Sequence, residues 1–306
     1  SLNYRGKINN DISYSVGGSL SDATAEVTEY ANPTGTNPAG NWYEGRKVGE
    51  IWGYRASGII QTQEEADEYN NKYDTSYLTG KAWEPGDVKY IDLNGDNKID
   101  RGDNNLKNMG DMTIIGNTTP RYQYTFNGSI TWKDLSLSMM FQGVGKREMW
   151  TTSAFVMPLM RGADATYSHM ESYNQMVFDA DGKITDYIVD QANTYPCLFP
   201  GNEGGGTVSG LSSGNHNFYP QDKYLSDMSY LRLKNITLGY TLPKDLTRKA
   251  YIQRARVYFS ADNMFTLFRG NSDYPLDPEL NSNSGNSWGR ATPITKSVSV
   301  GLQVTF

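Results

Sequence analysis

The last ten residues, SVSVGLQVTF at positions 297–306, alternate polar and apolar side chains until the sequence ends. Successive side chains of a β-strand point to opposite faces of its sheet. The stretch therefore predicts a strand with one apolar face and one polar face.

The same alternation recurs along the chain and predicts about seven strands. They lie near residues 1–8, 12–29, 119–132, 135–150, 228–242, 252–268 and 293–306. Leu231 and Leu233 have the opposite parity to Ile236 and Leu238, which predicts a bulge near Lys234.

The connections between these strands alternate between short and long. The short ones cover 9–11, 133–134 and about 243–250, and the long ones lie near 31–118, 151–227 and 270–292. In an antiparallel meander, all long connections then leave from one end of the sheet. Outer-membrane barrels have this asymmetry, with long extracellular loops, an apolar outer face and a polar lumen. The predicted fold class is therefore all-β, a transmembrane antiparallel β-barrel.

Composition excludes several other classes of protein. No apolar run reaches the roughly 18–20 residues of a membrane-spanning helix. A net charge of −6 without basic blocks argues against nucleic-acid binding. Cys197 is the single cysteine, so an internal disulfide is excluded. The 22 Tyr against 10 Phe suit the aromatic girdles of a barrel.

Seven is an odd number of strands, whereas bacterial barrels have even numbers. The chain also begins at Ser1 within an alternating pattern, without Met or a signal peptide. We therefore expect it to be part of a larger barrel. Two alternatives remain open: a secreted β-rich glycan-binding domain with one buried face, and a surface glycosidase with two carboxylates about 5–10 Å apart.

A calcium-type loop lies in the first long connection, DLNGDNKIDRGD at 92–103. The predicted ligands are Asp92, Asn94, Asp96, the backbone carbonyl of Lys98, and Asp103, at the spacing of an EF-hand loop. The loop departs from that pattern because Asn97 replaces Gly and Asp103 replaces Glu. A solvated turn rich in Asp and Asn is the alternative. We expect calcium, if bound, to have a structural role.

Thr62 followed by Glu65 forms a capping box, which predicts a short helix to about Tyr73 with a solvated acidic face. His169 and His216 are expected to be ordinary loop residues. The sequence offers no catalytic or cofactor-binding residues, so we do not expect an enzyme.

Several motifs resemble the SusC/RagA family of TonB-dependent outer-membrane transporters. They are PGDVKYIDLNGD at 85–96, IIGN at 114–117, PRY at 120–122, FQG at 141–143, YLRLKNITLGY at 230–240, SADN at 260–263 and the terminal Phe306. The resemblance covers nearly the whole chain and corresponds to the C-terminal portion of the barrel.

The resemblance implies a plugged barrel of about 22 strands in a bacterial outer membrane. It also implies a SusD-like surface lipoprotein as partner, and TonB acting through a plug outside this chain. The cargo implied is an oligosaccharide or a peptide. Loop aromatics such as Trp42, Tyr43 and Trp288 are candidate ligand contacts.

Overall fold

The computed structural model describes residues 1–78, 80, 82–150, 174–178, 180, 184–189, 216–270, 277–279 and 294–306. The strands are β1 (Leu2–Lys7), β2 (Ile12–Ser21), β3 (Glu50–Gly53), β4 (Ala56–Ile59), β5 (Val88–Tyr90), β6 (Thr113–Asn117), β7 (Arg121–Trp132), β8 (Leu135–Lys146), β9 (Glu148–Met149), β10 (Asn174–Phe178), β11 (Ile184–Val189), β12 (Ser226–Asp227), β13 (Tyr230–Thr241), β14 (Arg254–Arg269) and β15 (Ser297–Thr305). The helices are α1 (Gln63–Lys72), α2 (Lys244–Thr247) and the 3₁₀ turns His216–Phe218, Asp222–Tyr224 and Arg248–Ala250.

Seven of the described strands form one antiparallel sheet in the order β1-β2-β7-β8-β13-β14-β15. The order in the sheet follows the order in the chain, so the sheet is a meander. Each of the seven predicted stretches overlaps one of these strands. The predicted all-β class with a large antiparallel sheet is confirmed.

The register places the alternating side chains in rows across the sheet. One row is apolar and reads Tyr14, Ile130, Leu137, Leu238, Phe259 and Val300. The next row carries only hydroxyls and reads Ser15, Ser129, Ser138, Thr237, Ser260 and Ser299. Each strand thus contributes to one apolar face and one polar face.

A bulge interrupts β13 where the sequence predicts one. The pairing of β13 with both β8 and β14 shifts between Leu233 and Asn235, which skips Lys234. Leu233 therefore pairs with Phe265 on the apolar face, while Asn235 pairs with Asp262 on the polar face. The bulge explains the change of parity and confirms the prediction.

The first long connection contains the hydrophobic core of the described residues. This core is formed by Tyr54, Ile60, Ala66, Tyr69, Leu78, Trp83, Val88, Tyr90, Ile99, Met109 and Met112. Two small antiparallel sheets, β3 with β6 and β4 with β5, and helix α1 surround it. A connection that the sequence indicates only as a loop is therefore a folded unit, which we call the loop body (residues 50–117).

Helix α1 forms as the capping box predicts. The backbone N–H of Glu65 donates to Oγ1 of Thr62 over 3.2 Å. The Glu65 carboxylate accepts from the N–H of Gln61 over 2.8 Å and pairs with Lys89 of β5. The bond from Lys89 lowers the pKa of Glu65. Glu65 is thus not part of a solvated face, because it ties α1 to β5. No helix in the described ranges is long and apolar enough to cross a membrane.

Candidate functional site

The apolar face of the large sheet is exposed. Ile130, Leu238 and Phe259 are each more than 40% exposed, and Val300 is 74% exposed. A water-soluble sheet packs such a face against a second layer, because exposing it to water costs free energy. Among the residues that the structure describes, the core lies in the loop body and not against this face. The apolar face is therefore free to contact a nonpolar environment.

The polar face is held together by side-chain hydrogen bonds between neighbouring strands. The hydroxyls of Ser15 and Ser129 lie 2.8 Å apart, and those of Thr237 and Ser260 lie 3.0 Å apart. Arg256 donates to Oγ of Ser136 over 2.9 Å. A surface of hydroxyls and a guanidinium suits water or a polar solute and does not suit lipid.

A buried polar cluster joins the first long connection to the second. Asn217 donates from Nδ2 to Oδ1 of Asp87 over 2.7 Å, and its Oδ1 accepts from the N–H of Val88 over 2.7 Å. Nε2 of His216 lies 2.8 Å from Oδ2 of Asp87, at an angle outside hydrogen-bond geometry. The His216 ring lies 4.3 Å from the Trp83 ring, centroid to centroid.

His216 lies in the connection between β8 and β13, as expected of a loop residue, but it is also a buried part of this cluster, which the sequence does not indicate. Backbone contacts extend the junction, because the N–H of Tyr54 donates to the carbonyl of Pro220 over 2.8 Å. No local sequence pattern indicates a pairing between residues this far apart in the chain. His169 lies outside the described residues.

The predicted calcium loop forms a tightly wound turn. The carboxylate of Asp92 accepts from the N–H groups of Gly95 and Asn97 over 2.7 and 3.0 Å. Asn94 and Asp96 accept in the same way from residues two positions later. Asn97 adopts a left-handed conformation with φ of 61°, as asparagine tolerates.

The carboxylates of this loop make other contacts. Oδ2 of Asp103 accepts from Nδ2 of Asn108 over 3.1 Å. The side chain of the buried Asp111 accepts from the N–H groups of Leu93 and Asp100, and burial raises its pKa. No group of three or more His, Cys, Asp or Glu side chains in the described part of the chain is placed to hold a metal ion. The oxygen donors are of the type that calcium prefers, and calcium binding at this loop stays a prediction.

The candidate ligand aromatics differ in exposure. Trp42 is 41% exposed, with the Arg46 guanidinium 5.0 Å from its ring centroid. Tyr43 is buried and its hydroxyl donates to Glu50, and burial raises the pKa of Tyr43 to about 12. Tyr43 is thus a structural residue, whereas a ligand contact at the exposed Trp42 stays a prediction. Trp288 lies outside the described residues.

The three long connections all leave from one end of the sheet, where they join β2 to β7, β8 to β13 and β14 to β15. Together with one apolar and one polar face, this arrangement defines the class of antiparallel walls that form outer-membrane barrels.

Comparison with known proteins gives the same class. The chain is 26% identical to TonB-dependent receptor P3 of Formosa agariphila over 273 residues, which cover 86% of this chain and 22% of that protein. It is 25% identical to TonB-dependent receptor P26 of the same organism, over 86% of this chain and 23% of that protein. No protein-family model matches the chain.

Solved structures agree at the level of the fold. A structure of the RagAB peptide transporter matches with a TM-score of 0.60 and 18% identity, over 99% of this chain and 28% of that chain. The 'closed-closed' state of the RagAB peptide importer matches with a TM-score of 0.57 and 20% identity, also over 99% of this chain and 28% of that chain. The predicted resemblance to SusC/RagA-type TonB-dependent transporters is thereby confirmed. The chain spans about a quarter of the length of the curated relatives it matches.

Proposed function

We propose that this chain is part of the barrel of a TonB-dependent importer in a bacterial outer membrane. The importer takes up oligosaccharides or peptides as the SusC-like component of a complex with a SusD-like surface lipoprotein. Its work is transport and not catalysis. The relatives named as TonB-dependent receptors and the peptide-transporter structures support this reading.

One observation carries the proposal. The register brings most of the alternating apolar side chains, among them Ile130, Leu238 and Val300, to one largely exposed face, and it leaves mainly hydroxyls, amides and arginines on the other. Lipid requires an apolar exterior, and a barrel lumen accepts a polar interior. The alternative, a secreted glycan-binding domain, requires a second layer over the apolar face. Such a domain is expected to stay monomeric in buffer without detergent, which distinguishes it from a barrel.

The two outermost strands of the sheet, β1 and β15, each pair on one side only within the described residues. An open strand edge in lipid leaves backbone groups without hydrogen bonds, which costs several kcal/mol per group. We therefore infer that further strands close the barrel, and about 22 strands is the size known for outer-membrane transporters. We also propose that TonB acts through a plug that is not part of residues 1–306, as the resemblance to the SusC/RagA family implies.

Uptake by cells tests the proposed function. Deleting the gene is expected to abolish uptake of at least one class in a panel of labelled oligosaccharides and peptides. Inactivating TonB in the wild-type strain should abolish uptake of the same class, because import draws its energy through TonB. The lipoprotein should copurify with the importer. Uptake that persists in both the deletion strain and the strain without TonB would contradict the proposal. The substrate class whose uptake is lost identifies the cargo.

We also propose that the loop at 92–103 binds calcium structurally, through Asp92, Asn94, Asp96, the Lys98 carbonyl and Asp103. The support for this proposal is that its carboxylate, amide and carbonyl oxygens are the donor types that calcium prefers, at the spacing of an EF-hand loop. Calorimetric titration of the calcium-free protein is expected to show binding in the range of extracellular sites, about 10⁻⁴ to 10⁻³ M.

Asp92→Asn combined with Asp96→Asn should abolish the heat of binding. Asp67→Asn on the exposed face of α1 is the matched control and should leave the heat unchanged. Absence of any heat at millimolar calcium in the wild-type protein would contradict the calcium proposal and leave the transport proposal intact.

A further inference from the structure

Residues 277–279 of the third long connection lie against charged side chains of β13. Nη2 of Arg232 donates to Oδ2 of Asp277 over 2.8 Å, and Nζ of Lys234 donates to Oε2 of Glu279 over 2.7 Å. Nη1 of Arg232 lies 3.0 Å from Oε1 of Glu279, as an ion pair outside hydrogen-bond geometry. Two carboxylates thus face two cations.

These contacts lie on the polar face of the sheet. The register places Arg232 in one row with Ser19, Thr125, Gln142 and Thr266. Arg232 is the third residue of β13, so the row lies near the end from which the long connections leave. Its side chain is only 5% exposed, which means that the ion pairs are largely removed from water.

A second arginine holds the same segment. Arg147, which follows β8, is buried and donates from Nη1 to the carbonyl of Pro278 over 3.5 Å. Its Nε donates to the carbonyl of Thr118 over 3.2 Å, just before β7. Its own carbonyl accepts from the N–H of Met228 over 2.7 Å. Arg147 therefore joins the first, second and third long connections.

We propose that Asp277, Pro278 and Glu279 form an electrostatic latch that holds this three-residue segment of the third long connection against the polar face. The proposal rests on the proposed function in one respect. If the chain is part of an importer barrel, the polar face lines the lumen and the latch lies at the outer end of the lumen. The closed latch neutralises Arg232 and Lys234. Releasing it frees residues 277–279 from the polar face and exposes the side chains of Arg232 and Lys234 to the lumen.

The buried ion pairs make the latch sensitive to the loss of one partner. A buried ion pair is held by strong Coulomb attraction because the surrounding dielectric is low, but removing the charges from water opposes it. Loss of one partner leaves the other charge buried without compensation, and this mainly raises the rate at which the contact opens. Removing one carboxylate should therefore shift the segment clearly towards release.

Cysteine labelling of the intact protein in detergent tests the latch. In a background with Cys197→Ser, Pro278→Cys places a thiol in the buried segment and keeps the carbonyl that Arg147 binds. It should react with a maleimide at least about tenfold more slowly than Ile8→Cys in an exposed turn. Adding Glu279→Gln is expected to raise the rate at position 278 by about tenfold.

The matched control is Asp11→Asn, which removes the exposed pair between Asp11 and Lys133 and should not change labelling at position 278. A double-mutant cycle tests the contact itself, because Glu279→Gln should have a smaller effect when Lys234→Gln is present. Equal labelling of positions 278 and 8, or an unchanged rate with Glu279→Gln, would overturn the latch.

The folding of each variant is checked in parallel by its heat-modifiable migration on gels, because a folded barrel migrates differently from the heat-denatured chain. Folded variants that label faster support the latch. If the protein with Cys197→Ser and Pro278→Cys labels slowly at position 278 but does not insert into membranes, the transport proposal fails and the latch proposal does not.

Discussion

Replacing Trp83 with alanine is expected to destabilise the loop body strongly while the seven-stranded sheet keeps its stability. The Trp83 side chain is fully buried, and its ring lies 5.8 Å from that of Tyr69 and 4.3 Å from that of His216. Its Nε1 donates to the carbonyl of Val88 over 2.8 Å. Truncating a buried tryptophan costs about 3–5 kcal/mol, through lost contacts and the cavity that remains.

Hydrogen exchange measures this effect locally. The amides of Ile60 and Ile99 donate to the carbonyls of Asp87 and Asp74 within the loop body. Their exchange should accelerate by roughly a hundredfold or more in Trp83→Ala, since each 1.4 kcal/mol of lost stability gives about a factor of ten. The amides of β8 should keep their wild-type protection.

The matched control for this prediction is Trp42→Ala. Trp42 is 41% exposed, and surface substitutions usually change stability by about 0.5 kcal/mol or less. The loop body should therefore exchange as in the wild type. Equal acceleration in the sheet and the loop body after Trp83→Ala would show that the loop body is not a separate folding unit.

The sheet could be predicted from the sequence because its signal is local. Alternation along each strand sets the face of every side chain, and the parity change at Lys234 locates the bulge that the register shows. The helix after Thr62 could be predicted for the same reason, since its cap joins residues three positions apart.

The loop body could not be predicted from the sequence, because its strands are short and pair distant residues. Glu50 pairs with Asn117, and Asn217 bonds to Asp87 across 130 positions of the chain. Three- to five-residue strands leave too little periodicity to recognise. The burial of His216 follows from such long-range contacts, since Asp87 and Trp83 lie in the first connection. Tyr43 is buried beside Glu50, seven positions away, and no periodic pattern indicates this contact.

The shape of the calcium loop could be predicted from the sequence, but its occupancy by a cation could not. Its turns are local, because Asp92, Asn94 and Asp96 bond to amides two to five positions later. The spacing predicts such turns whether or not a cation is present. The latch segment gave no signal in the sequence, since the pairing of Arg232 with Asp277 depends on how the third connection folds back.

In the proposed barrel, the apolar face of the sheet contacts lipid and the polar face does not. Val300 and Ser299 are adjacent and exposed, lie near the middle of β15, and point to opposite faces. Arginine on the lipid face near the bilayer midplane costs about 2–4 kcal/mol, whereas lumen positions tolerate charge.

The most direct test is the urea-dependent unfolding of the intact protein in lipid vesicles, for Val300→Arg and Ser299→Arg. Val300→Arg is expected to lower the free energy of unfolding by about 2–4 kcal/mol, and Ser299→Arg by less than about 1 kcal/mol. Equal losses for the two variants, or a larger loss for Ser299→Arg, would contradict the orientation of the sheet and with it the barrel.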